Sequence, residues 1–177
     1  MKTEADMYTP AQDEKVTKVM LYSRNKLIHG DLVTKESIRV SVWLRTQGVP
    51  NFIRLLKPEI LFFGGTPPKS LTYNEYFFPK DRVIGFHIAP PNSDPPDYQA
   101  DELNRQMVDV NLMLGAFILK GKLRISTHAE VATSIEVSTM TWLSVYEADI
   151  VNPFLPNMPT IHVPMLLIDP KQVSFGV

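Results

Sequence analysis

The sequence predicts an all-β protein made of two tandem, small, strongly bent β-barrels that arose by internal duplication. Three observations carry that expectation. The stretches KLIHGDLV (26–33) and FILKGKLR (117–124) place a glycine in the same apolar frame, with Gly30 and Gly121 lying 91 positions apart. Short segments that alternate apolar and polar residues, the period of a half-buried strand, recur between turn-forming residues. Between the two copies lies APPNSDPPDYQADE (89–102), with four prolines, four acids and no Lys or Arg. Proline withholds a backbone donor and resists both helix and central strand. The division that follows is a polar tail at 1–14, a first barrel copy at 15–88, a semi-rigid, solvated linker at 89–102 and a second copy at 103–177.

The elements follow in order. KVMLYSRNKLIHGDL (18–32) overlies DVNLMLGAFILKGKL (109–123) without a gap. Val19 meets Val110, Leu21 meets Leu112, Ile28 meets Leu119, Gly30 meets Gly121 and Leu32 meets Leu123. Arg24-Asn25 falls on Gly115-Ala116, and both dipeptides suit a turn between strands. Strands are therefore expected near 17–23 and 26–34. A glycine inside the second marks a bulge, a sharp bend or a close backbone approach. SIRVSVWL (37–44) and EVATSIEV (130–137) both alternate, which predicts a third strand near 38–45. RTQGVPNFIRLLKPE (45–59) reads as an excursion with a short helical turn around 52–56. Further strands are expected near 59–64 and 73–88. There LLKPEILFF resembles VYEADIVNPF around Ile60 and Ile150, and FFPKDRVIGF shares a Pro-Lys with LIDPKQVSFGV. DELNRQM (101–107) reads as a short helix entering the second copy.

Composition narrows the function classes. Apolar residues make up 44% of the 177, enough for a packed core. The absence of cysteine excludes disulfide scaffolds, thiolate metal sites and cysteine nucleophiles. No apolar run approaches a membrane span, and the first fifteen residues lack an apolar signal core, so a soluble cytoplasmic protein is expected. GGTPPKS (64–70) fails as a phosphate loop because Pro68 stands where the second glycine belongs. His29, His87, His128 and His162 show no close metal-pair spacing. Glu147 and Asp149 would share one strand face, a pairing more often solvated than catalytic. The expectation is no enzyme, with no catalytic residue, cofactor or metal.

YSRNKLIHGDLVTKESIRVSVWL resembles the first motif of the Sm-like family: a strand, a turn, an apolar-x-Gly-x-apolar strand, a loop with an acid and an apolar strand. Gly30 matches the motif glycine and Glu36 the acid, whereas Thr127 takes the acid's place in the second copy. KPEI (57–60) stands where the second motif would begin, without that motif's Arg-Gly or Lys-His pair. SH3-like barrels share this grammar. The chain is also similar to bacterial proteins of this duplicated type, a likeness that implies no function. The Sm-like resemblance implies RNA binding and assembly into oligomers.

Charge divides unevenly. Residues 15–88 carry twelve Lys/Arg against five Asp/Glu, a net +7, and residues 103–177 carry five against six, a net −1. At the 91-residue offset Arg39 meets Glu130 and Arg45 meets Glu136. Arg24, Lys26, Arg39, Arg45, Arg54 and Lys57 are the candidate residues for binding RNA or a protein partner. The leading functional expectation is a non-enzymatic interaction module that self-associates through strand edges as a homo-oligomer. RNA binding by the basic first copy comes second. A small-ligand sensor using the cleft between copies comes third.

Overall fold

The computed structural model describes residues 8–176. Eleven strands form one antiparallel sheet: β1 (Glu14–Tyr22), β2 (Lys26–Lys35), β3 (Phe52–Phe62), β4 (Lys69–Thr72), β5 (Glu75–Pro79), β6 (Gly85–Ile88), β7 (Arg105–Leu114), β8 (Phe117–Ser126), β9 (Leu143–Val151), β10 (Ile161–Ile168) and β11 (Ser174–Gly176). The hydrogen-bonded path runs β11-β7-β8-β9-β10-β6-β1-β2-β3-β4, with β5 also paired to β3. Among the described residues the path is open, and its ends do not pair with one another. No helix among the described residues is long and apolar enough to cross a membrane.

The pairings of the first half recur in the second. β1 and β2 form a hairpin with Val19 opposite Gly30, and β7 and β8 form one with Val110 opposite Gly121. Ile28 then faces Ile60 on β3, and Leu119 faces Ile150 on β9. The register slips between His29 and Asp31, and again between Lys120 and Lys122. Both glycines thus sit at a bulge, and the residues across from them, Lys57 and Glu147, both take positive φ. Close approach explains the residue type at Gly121. A Cβ there would lie 2.7 Å from Val145 Cγ1 and 3.1 Å from the Tyr146 carbonyl oxygen. At Gly30 the nearest atom would be Pro58 Cβ, at 3.2 Å.

Several sequence expectations change. SIRVSVWL and EVATSIEV are not strands: Val40–Arg45 is a 3-10 turn and Val131–Glu136 is a short helix, α1. Alternation over so few residues also fits one and a half helical turns. Val40, Trp43 and Leu44 stand at helical spacing and are all buried. β2 and β3 pair directly, so no slot remains between them. The excursion at 45–59 gives way to β3, an eleven-residue strand whose Ile53 and Leu55 are fully buried. The stretch 73–88 is broken by a 3-10 turn at Lys80–Arg82, and residues 105–107 already belong to β7 rather than to a helix.

Two apolar clusters fill the molecule, and each draws on the other half. Leu167 of β10 and Trp142 join the cluster built on Leu21, Ile53 and Phe86. Tyr22, Leu27 and Ile84 join the one built on Leu112, Leu119 and Ile150. The halves are stitched at β6 and β10, where Leu167 pairs with Phe86 and Ile168 with Gly85. They also meet at the hairpin tips. Gly115 has φ +60°, and a Cβ on it would lie 2.6 Å from the Ser23 carbonyl oxygen.

Candidate functional site: two open strand edges and an arginine-lined cleft

The repeated pairings identify counterpart residues across the halves. Leu55 pairs with Tyr76 and Val145 with Leu166, so Phe77 and Leu167 are counterparts. Leu21 pairs with Phe86 and Leu112 with Phe175, so Phe86 and Phe175 are counterparts too. The intrachain contact between Leu167 and Phe86 therefore has an equivalent, Phe77 against Phe175, that is not made among the described residues. β5 pairs only with β3, and β11 only with β7, among the described residues. The consequence is visible in exposure: Leu167 is fully buried, whereas Phe77 is 55% exposed. Phe52, on the same outward face of β3, is 56% exposed beside it.

The segment at 89–102 is not a solvated spacer along its whole length. Asp97 receives hydrogen bonds from Arg45 Nη1 at 2.5 Å, Ser144 Oγ at 2.7 Å and Tyr146 Oη at 2.5 Å. Arg45 also donates to the Trp142 carbonyl, tying the first half to the second. Asp94 accepts from the Ser41 amide and lies beside Arg39, which donates to the Pro95 carbonyl. Arg124 stacks on the Tyr98 ring at 4.6 Å and pairs with Glu102. Four acids beside a basic first half are the sequence feature that could have foretold this docking.

Electrostatics follow the geometry. Burial by itself raises the Asp97 carboxyl, but bonds from Tyr146 and Ser144 and the Arg45 guanidinium outweigh it and hold Asp97 below the usual carboxylate range. The Tyr146 hydroxyl is pushed up, first by burial and then by Asp97. The hydrogen bond from Arg124 holds Glu102 low.

Around these residues opens a cleft of about 1030 Å³. Its walls are residues 96–102, β8 and the stretch from α1 to β9, with Arg39 and Arg45 reaching in from the first half. Asp97, Tyr98, Arg105, Arg124 and Tyr146 escaped the sequence reading, because no local spacing relates them.

The six basic candidates do not form one surface. Arg39 and Arg45 face the cleft, engaged with Asp94 and Asp97. Arg54 sits on the outward face of β3, paired with Glu75 at 3.0 Å and lying over the Tyr8 ring. Lys26 lies over the Phe62 ring at 5.4 Å, Arg24 is exposed at the first hairpin tip, and Lys57 is exposed at the bulge. Of the histidines, His87 is buried. Its Nδ1–H donates to the Ile88 carbonyl at 2.8 Å, which leaves Nε2 to accept from the Tyr22 hydroxyl at 3.0 Å. Comparisons with protein-family models, curated proteins and solved structures find no match to this chain.

Proposed function

We propose that this chain is a non-enzymatic, cytoplasmic assembly module. Each half acts as a small, strongly bent barrel of the Sm-like or SH3-like kind, and chains join head to tail through β5 of one and β11 of the next. The supporting observation is the asymmetry between counterpart contacts. Leu167 against Phe86 closes the junction within the chain, while Phe77 and Phe175 remain on separate open edges. An exposed strand edge with apolar side chains is a template for another strand. The two edges differ, so the contact is heterologous and each chain offers one donor and one acceptor edge. The basic first half and near-neutral second half favour the same head-to-tail order.

The test uses two variants, each disabling one edge. Phe77→Asp puts a charge in the β5 edge, and Phe175→Pro removes the outward-facing backbone donor of β11, at the counterpart of Phe86. Sedimentation velocity at 50 μM is expected to show oligomers for the native chain and monomers for each variant alone. An equimolar mixture of the variants, which still holds one intact edge of each kind, is expected to give a heterodimer. A monomeric native chain, or a mixture that stays monomeric, refutes the reading.

RNA binding through the first half has weaker support, because Arg39, Arg45 and Arg54 are already paired with Asp94, Asp97 and Glu75. Submicromolar, steeply salt-dependent binding of single-stranded RNA that the Arg39→Gln/Arg45→Gln/Arg54→Gln variant weakens would reverse that ranking.

A further inference from the structure

We infer that the cleft between residues 96–102, β8 and α1 binds a small organic anion with an apolar body. The sign of the ligand comes from how the charges are used. Four arginines line the cleft against two carboxylates, Asp97 and Glu102. Asp97 already takes three donors, and Glu102 is shared by Arg124 and Arg105. Neither carboxylate retains much capacity to hold a cation. Arg105 differs from the other arginines. Its side chain is 45% exposed, and its contact with Glu102 runs through Nε at 3.5 Å. Its terminal nitrogens make no hydrogen bond among the described residues, and such a planar fork matches a carboxylate, sulfonate or phosphate.

The body of the ligand comes from the rest of the cleft. Leu123 and Ile125 of β8 and Ile135 of α1 form an apolar wall, and Val137 and Met140 stand 70% and 48% exposed at its rim. Apolar walls with a few convergent polar groups are the usual make-up of a small-molecule site. At about 1030 Å³ the space far exceeds a bare inorganic anion and reaches the upper end of such sites. A nucleic-acid strand fits poorly. Arg124 covers the Tyr98 ring and Tyr146 meets it edge-on at 5.0 Å, so a base finds no open platform there. Arg39 and Arg45 come from the first half and the remaining lining from the linker and second half, so an occupant would touch both halves.

The test is a fluorescence titration of the full chain with 8-anilinonaphthalene-1-sulfonate, which carries an apolar body and one anionic group. One saturable site per chain is expected, displaced by octanoate but not by octylammonium. Arg105→Gln and Val137→Asp both change exposed side chains and leave the core intact. Each is expected to weaken binding about tenfold, through the lost charge-assisted bonds in one case and the spoiled apolar rim in the other. Phe154→Asp removes a 72% exposed aromatic side chain outside the cleft and is expected to leave the site unchanged. The inference is overturned by the absence of saturable binding, by equal displacement with octylammonium, or by binding that Phe154→Asp abolishes and the cleft variants do not.

Discussion

Acid should weaken this fold through one buried histidine before its carboxylates titrate. Burial pushes His87 down from its ordinary value of 6.5 to about 4. The ring is neutral in the native state, held between Tyr22 and the Ile88 carbonyl. The unfolded chain takes up its proton near pH 6.5, and the folded chain does so only near pH 4. Between those values the unfolded state binds more protons, so stability falls as pH falls. The contribution is complete above pH 6.5 and is lost by pH 4. Each pH unit inside the window costs about 1.4 kcal/mol. From pH 7 to pH 4.5 the loss is about 2 kcal/mol, and once the pH has passed below 4 it is about 3 kcal/mol. Asp97, Glu102, Asp13 and Glu14 are held low, so their stabilisation fades mostly below pH 4.5. The assay is urea unfolding at pH 7 and pH 4.5, followed through the buried Trp43 and Trp142. His87→Gln keeps a neutral polar group beside Tyr22. It is expected to be less stable at pH 7 yet to lose about 2 kcal/mol less than the native chain on acidification. Equal losses in the two proteins would refute the assignment.

Two further outcomes follow from the contacts between the halves. Gly115→Ala forces φ +60° on a residue with a Cβ and sets that atom 2.6 Å from the Ser23 carbonyl oxygen. The combined strain and overpacking is about 3 kcal/mol, a drop of about 6–12 °C in Tm by differential scanning calorimetry; an unchanged Tm would show that the hairpin tips do not meet. Asp97→Asn leaves Arg45, only 24% exposed, without its counter-charge. It should cost about 2 kcal/mol in urea unfolding and open residues 89–102 to limited proteolysis, whereas a native cleavage pattern would mean that the segment is held by other contacts.

The hairpins were legible in the sequence because their registers depend on nearest neighbours. Fifteen residues aligned without a gap, and the structure pairs them as aligned, with Gly30 and Gly121 at matching bulges. The connections were not legible, because an eight-residue alternating pattern serves a strand or a short helical segment equally well. What decided between them was the direct pairing of β2 with β3 and of β8 with β9, a nonlocal fact. The alignment did place the two connections as counterparts. Arg39 precedes the 3-10 turn and Glu130 precedes α1, at the offset the repeat requires. The cleft was least legible. Arg45, Asp97 and Tyr146 each lie about fifty positions from the next, and only the docking of residues 89–102 against both halves unites them.

The differences between the halves argue against reading the open edges as neglected surface. One charge difference between the halves is a compensated pair. Lys18 bonds Asp31 at 2.9 Å across the first hairpin, and at the counterpart position Asp109 faces Lys122 with the signs exchanged. Where apolar residues stand at the edge, no strand among the described residues pairs with them on that side. Phe77 occupies the position that Leu167 fills in the second half, yet it makes no such junction and stays largely in solvent. An apolar residue on an exposed edge strand invites unwanted pairing, and a charge there would remove that hazard at little cost to folding. Phe77, with Phe52 on the same outward face, is better accounted for by a strand that arrives from outside the chain. In the proposed assembly that strand takes the register that Leu167 and Phe86 use within the chain.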